Sequence, residues 1–191
     1  MEAFLVSITS VALGELGDKT QLLALVLATR LRRPLAIVLG VLVATLASHL
    51  LAALLGQWAG AQLTPQRLRW ILGISFLALA AWALIPEKAE SEPQARDGYG
   101  AFLVTVVAFF LAEMGDKTQI VAMALAARYH DLLAVVAGST LGMMLVNVPT
   151  VLLANHVTRV LPLKWIRLAA ALFYALLGVL TLSGHSGVRM G

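Results

Sequence analysis

Apolar residues run in long blocks along this chain, and polar residues separate the blocks more than they alternate with them. Each block is close to the roughly 20 residues with which an α-helix crosses the hydrocarbon of a bilayer. Breaks fall at Arg32-Arg33-Pro34, Thr64-Pro65, His130-Asp131 and Leu161-Pro162, where proline and charged residues end helices. The pattern predicts an all-α, polytopic membrane protein with six transmembrane helices at about 3–28, 34–56, 67–85, 100–127, 131–155 and 164–183. The one clearly polar stretch, Pro86 to Gly98, carries Glu87, Lys88, Glu90, Glu92, Arg96 and Asp97 and reads as a solvated connector. The chain therefore divides into a first three-helix unit (1–85), a linker (86–99) and a second three-helix unit (100–191).

The two units repeat one another. Gly-Glu-Leu-Gly-Asp-Lys-Thr-Gln at 14–21 returns as Ala-Glu-Met-Gly-Asp-Lys-Thr-Gln at 112–119, and the same register pairs Ala24 with Ala122, Ala28 with Ala126, Arg30 with Arg128 and Gly40 with Gly138. Because each unit has an odd number of spans, the second enters the membrane from the opposite side, which makes the repeat an inverted one. Basic residues outside the spans favour one side: Arg30, Arg32, Arg33, Lys88, Arg96, Arg159, Lys164 and Arg167 against Arg67, Arg69, Arg128 and Arg189. The richer side is expected to be cytoplasmic, which puts the linker inside and both termini outside the cytoplasm.

Composition narrows the chemistry. Of 191 residues 60% are hydrophobic and 13% charged, and the mean hydropathy is +0.89, so lipid rather than water is the main solvent. The net charge of +4 reflects these loop residues and gives no support for nucleic-acid binding. Met1-Glu2 leads straight into an apolar segment that contains charges, unlike a secretory leader, so that segment is read as mature helix. Cysteine is absent, which removes disulfides and thiolate metal sites and leaves oxygen or imidazole to hold any ion. Neither a nucleotide-binding loop nor an HExxH pattern occurs, so no catalytic residue or cofactor is expected and transport energy would come from an ion gradient.

Glu15, Asp18 and Lys19 in the first span, and Glu113, Asp116 and Lys117 in the fourth, fall near mid-membrane, where an ionised group costs about 2.5–3.5 kcal/mol. On an unbroken helix Glu15, Asp18 and Lys19 share one face, Gln21 lies at its edge and Thr20 points away. If the two faces oppose one another, four carboxylates and two ammonium groups surround one cavity with a surplus of two negative charges, which a divalent cation balances. Carboxylate, amide and hydroxyl oxygens suit calcium, manganese or magnesium. Each lysine would neutralise a carboxylate while the site is empty. Protons and metal compete for the same crowded oxygens, which is the simplest basis for cation/proton exchange. Gly17 and Gly115 are candidate points of unwinding, and unwinding there would turn Thr20 and Thr118 inward.

The paired E-x-G-D-K-T sequences, Glu15–Thr20 and Glu113–Thr118, resemble those of the Golgi-type calcium/manganese transporters and bacterial manganese exporters, and the likeness covers nearly the whole chain. The resemblance implies proton-coupled export of Mn2+ or Ca2+ with the motif acids as ligands. The full ligand expectation is Glu15, Asp18, Thr20, Gln21, Glu113, Asp116, Thr118 and Gln119, with Lys19 and Lys117 compensating charge. Gln21 and Gln119 read equally as interhelical hydrogen-bond partners, and Thr20 and Thr118 as bonding back to their own helix. Ser48-His49 and Asn147 occupy equivalent places in the two units and are candidate pathway residues, or partners of neighbouring helices. His130, His156 and His185 read as interfacial, and Met114 as packing. Trp58, Trp70, Trp82 and Trp165 read as an interfacial belt. Expected partners are a divalent ion, protons and lipid, and the sequence leaves a homo-oligomer open. A passive cation channel and an exporter of a small organic cation or amino acid are the alternatives.

Overall fold

A computed structural model of the chain describes residues 1–85, 100–154 and 163–184; the expected linker 86–99, His156 and His185 lie outside them. Every regular element among the described residues is helical. The first unit contains α1 (Glu2–Glu15), α2 (Lys19–Leu31), α3 (Pro34–Ala61) and α4 (Pro65–Ala83). The second contains α5 (Ala101–Glu113), α6 (Lys117–Tyr129), α7 (Leu132–Leu152) and α8 (Leu163–Ser183).

Among the described residues there are eight helices where six spans are expected, because the first and fourth predicted spans are each broken in two at the motif. Leu16 (φ −62°, ψ 114°) and Asp18 (φ −84°, ψ 168°) are extended around Gly17 at φ +79°. Met114 (φ −62°, ψ 116°) and Asp116 (φ −79°, ψ 165°) flank Gly115 at φ +76°. Only glycine takes such a left-handed φ without strain, and a right-handed helix cannot run through it. The other junctions repeat as well: α2 ends on Arg32 at φ +49° and α6 on His130 at φ +51°. Pro34 then starts α3, and the Asp131 side chain accepts the Ala134 N–H at the start of α7.

The units interlock instead of standing side by side. In the first, α1 lies along α7 of the second; in the second, α5 lies along α3 of the first, while α4 and α8 pair with each other. Small residues let the backbones approach. A Cβ placed on Gly138 would sit 2.6 Å from the Phe4 carbonyl oxygen, and one on Gly40 would sit 2.9 Å from the Phe102 carbonyl oxygen. Those are equivalent contacts in the repeat register. Gly142, one turn beyond Gly138, brings α7 equally close to Ile8.

Burial is distributed as in a lipid-facing protein. Along α3, Leu39, Val43, Leu46, Leu50 and Leu54 form an exposed stripe, whereas Thr45, Ser48 and His49 on the same helix are buried. Water would penalise that arrangement, and hydrocarbon favours it. By length and composition, α3 and α7 are able to cross a membrane, and α5 and Arg167–Ser183 are shorter apolar helices among the described residues. Contacts also group the helix ends. Tyr129 donates to the Glu2 carboxylate at 3.0 Å, Gln57 to the His130 carbonyl at 3.2 Å, and Arg128 to Thr181 at 3.2 Å. The start of α1, the α6–α7 junction and the ends of α3 and α8 thus share one end of the bundle. Of the predicted tryptophan belt, Trp58, Trp70 and Trp165 are exposed, but Trp82 faces the core from α4 and packs against it.

Gly142→Val is expected to force α1 away from α7, because the new Cβ meets backbone at Ile8 and Ala12 that no rotamer can relieve. The expected loss is about 1–3 kcal/mol, read as a lower melting temperature by tryptophan fluorescence in detergent. Gly100→Ala, which meets nothing within 4 Å, is the control. Equal melting of the two variants would contradict the close approach.

Candidate cation site

Breaking a helix in an apolar interior frees backbone groups that must find partners locally. Each break recruits its own glutamine: Gly17 N–H donates to Gln21 Oε1 at 2.7 Å, and Gly115 N–H donates to Gln119 Oε1 at 2.8 Å. The break also brings the threonine round. On an unbroken helix residues five apart diverge by about 140°, yet the Thr20 hydroxyl donates to Glu15 Oε1 and the Thr118 hydroxyl to Glu113 Oε1, the latter at 2.6 Å. The threonines and glutamines therefore hold the kinks, and their sequence positions on a continuous helix do not describe where they point.

Each acid is then met from the other unit. Asn147 on α7 donates from Nδ2 to Glu15 Oε1 at 2.9 Å, and His49 Nε2 on α3 lies 3.1 Å from Glu113 Oε1. Lys117 Nζ lies 2.5 Å from Asp18 Oδ1, and Lys19 Nζ lies 3.7 Å from Asp116 Oδ1. All four acids are at most 1% exposed. One oxygen of each glutamate is engaged, but the other is not: Glu15 Oε2 and Glu113 Oε2 are buried without a hydrogen-bond partner, as are Asn147 Oδ1 and His49 Nδ1. In a low-dielectric interior such orphan acceptors are costly unless something occupies them.

From the sequence, all four carboxylates are expected to surround one cavity. Among the described residues no group of three or more His, Asp or Glu side chains is arranged to hold a metal together. Each lysine pairs with an aspartate of the opposite unit, Lys117 with Asp18 and Lys19 with Asp116. Ser48 bonds back to the Thr45 carbonyl at 3.2 Å. Met114 is exposed and meets Gln119 through sulfur at 3.8 Å.

Some participants were not singled out from the sequence. Thr150 accepts from Gln21 Nε2 at 3.1 Å, and the fully buried Tyr174 donates to the Ser10 carbonyl at 2.6 Å, pinning α8 to α1 one turn before Glu15. Thr150 could have been found, since it follows Asn147 by three residues on the same face of α7. Tyr174 left no such signal. The surroundings are also unequal: the Lys19 side chain is 19% exposed and that of Lys117 only 6%. A cavity of about 10 Å³, large enough for one water, lies beside Lys117 and is lined by Gly17, Ile85 and Arg167 among others.

The family model described as divalent cation/proton antiporter GDT1 matches residues 3–91 and 101–188, that is, both units and their motifs. The chain belongs to the GDT1 family. A relative from Vibrio cholerae serotype O1, whose name proposes it as a manganese exporter, is 46% identical over 182 residues, covering 95% of this chain and 90% of its own. No solved structure matches the chain. As a member of the GDT1 family the protein is a membrane transporter of cations and not an enzyme.

Replacing Lys117 by Met leaves Asp18 without its ammonium partner in the interior, for an expected cost of about 3 kcal/mol. Adding Asp18→Asn in the same chain is expected to recover most of that loss, as measured by thermal unfolding of the single and double variants. Lys19→Met, at a longer and more exposed pair, is expected to cost less than half as much. Additive losses in the Lys117→Met/Asp18→Asn chain would contradict the pairing.

Proposed function

We propose that this protein exports Mn2+, with Ca2+ as the other candidate cargo, in exchange for protons through one mid-membrane site shared by its two units. The observation that carries this reading is the pair of buried glutamates, one from each unit, each fixed by a threonine and by a residue of the opposite unit, and each keeping one carboxyl oxygen unpartnered. The four motif acids and two lysines leave a surplus of two negative charges, the charge of one such ion. Both broken helices add the negative ends of α1 and α5; their last carbonyls, at Glu15 and Glu113, accept turn hydrogen bonds from the Asp18 and Asp116 N–H groups, and the helix dipoles favour a cation beside these acids.

On this account Asp18, Asp116, Glu15 and Glu113 are the ligands, with Thr20, Thr118, Gln21 and Gln119 holding the kinked backbone around them. Lys19 and Lys117 neutralise the aspartates in the unloaded state and withdraw when the ion enters. Protons arriving from the far side take the same oxygens and release it. The unequal exposure of Lys19 and Lys117 fits a site more open on one side than the other, and a rocking of the two units would exchange the sides. The membrane arrangement we favour has α1–α2 and α5–α6 each forming one broken span, six spans in all, as an inverted repeat of 1–85 and 100–191. Both termini lie outside a plasma membrane and the linker 86–99 inside; a reporter fused after Gly191 is expected to be inactive if it works only in the cytoplasm.

The decisive experiment is Mn2+ flux into proteoliposomes. Flux is expected to follow an imposed pH gradient, to collapse when a protonophore dissipates it, and to fall to background in Glu15→Gln and in Glu113→Gln. Flux indifferent to the pH gradient and far faster than a carrier would favour a channel and sink the exchange mechanism.

A further inference from the structure

The two motif breaks are covered unequally. Over the first, α8 packs against α1, and Arg167, Ala170 and Tyr174, spaced three and four residues apart, turn one face of α8 towards it. Only the water-sized cavity remains between them. Leu13, Gly14 and Gly17 line it from one side, Arg167 and Ala170 from α8, and Lys117, the partner of Asp18, from α6. Over the second break no comparable packing of α4 against α5 occurs among the described residues. Leu111 and Met114 are exposed there, and a Cβ on Gly115 would meet nothing within 4 Å.

The contact that holds α8 down is built into one unit alone. The Tyr174 hydroxyl donates to the Ser10 carbonyl at 2.6 Å, using the second lone pair of an oxygen that already serves its own helix. The hydroxyl lies over Gly14, where a Cβ would overlap it. In the register that carries Glu15 onto Glu113, Gly14 becomes Ala112 and Tyr174 becomes Phe76. The equivalent place in the other half therefore lacks both the room and the donor.

We propose that α8 is a gate over the first motif and that the hydrogen bond from Tyr174 to Ser10 is the latch that holds it shut in the state seen here. The proposal rests on the exchange reading above. Asp18 is buried beside Lys117, and a cavity for one water does not pass a hydrated ion, so α8 has to part from α1 before Asp18 can exchange its cargo across this face. A hydroxyl on a backbone carbonyl suits that duty, because a single neutral hydrogen bond contributes little net stability and breaks without stranding a charge. With Phe76 in the equivalent place on α4, the two halves of the cycle are unequal, and the state with α8 shut is the resting one.

The chain has no cysteine, so one engineered thiol reports on the gate. In Leu13→Cys, at the cavity wall, modification by a small water-soluble methanethiosulfonate is expected to be slow in proteoliposomes at rest and faster during Mn2+ transport driven by a pH gradient. Adding Tyr174→Phe is expected to raise the resting rate about threefold to tenfold, the population shift that loss of one hydrogen bond gives. The thiol of Ala44→Cys, buried in a core cluster of α2, α3, α5 and α7 residues, is expected to keep its rate. A tyrosine with only a structural role would loosen both places or neither. Ala170→Cys, on the α8 wall of the same cavity, carries the test should Leu13→Cys fail to fold. A cavity thiol that reacts equally at rest and during transport, or a resting rate unmoved by Tyr174→Phe, overturns the gate. Wild-type Mn2+ flux that ignores the pH gradient would instead overturn the exchange reading beneath it.

Discussion

A carboxylate buried in an apolar interior has to be matched by a cation, by donors or by an ion from outside, and most of this architecture follows from meeting that demand four times. Neither motif satisfies it alone. Asp18 takes its ammonium from Lys117 and Asp116 takes its own from Lys19, so each unit neutralises the other. The glutamates are likewise met from the opposite unit, Glu15 by the Asn147 amide and Glu113 by the His49 ring. Interlocking of the units is thereby tied to the chemistry of the site: separating them would leave charges stranded in lipid, at a cost several times that of an ordinary packing defect.

The helix breaks serve the same demand. A continuous helix could not direct Glu15 and Thr20 to one point, and it would offer a cation only side chains. By stopping at Gly17 and Gly115 the chain gives up part of two hydrogen-bond ladders, repairs them with Gln21 and Gln119, and places two helix ends beside the acids. The close approach of α7 to α1 at Gly138 and Gly142 and of α3 to α5 at Gly40 then fixes how far Asn147 and His49 reach. Packing at small residues sets the geometry of polar atoms some turns away.

Much of this was legible in the sequence. The doubled motif located the acids and lysines, its register identified His49 and Asn147 as equivalents, and the motif glycines marked where the helices open. The charges had to meet because lipid tolerates no alternative, so composition and spacing sufficed. What stayed hidden depended on atoms rather than residue types. The bonds from the freed Gly17 and Gly115 N–H groups to the amide oxygens of Gln21 and Gln119 depend on the helix break itself and could not be read from residue types. Thr150 has Ala52 as its counterpart, so its spacing from Asn147, and not the repeat, was the one pointer to its bond to Gln21. Trp82 reads as a belt residue by position along α4, yet it is partly buried and packs against the core.

The measurement that tests the central claim most directly is the position of Mn2+ in crystals of the loaded protein, found from its anomalous scattering. A single ion bonded to carboxyl oxygens of both Glu15 and Glu113, with the lysines displaced from the aspartates, is the predicted result. An ion held by one unit alone, or lying away from both glutamates with the lysine pairs intact, would contradict it.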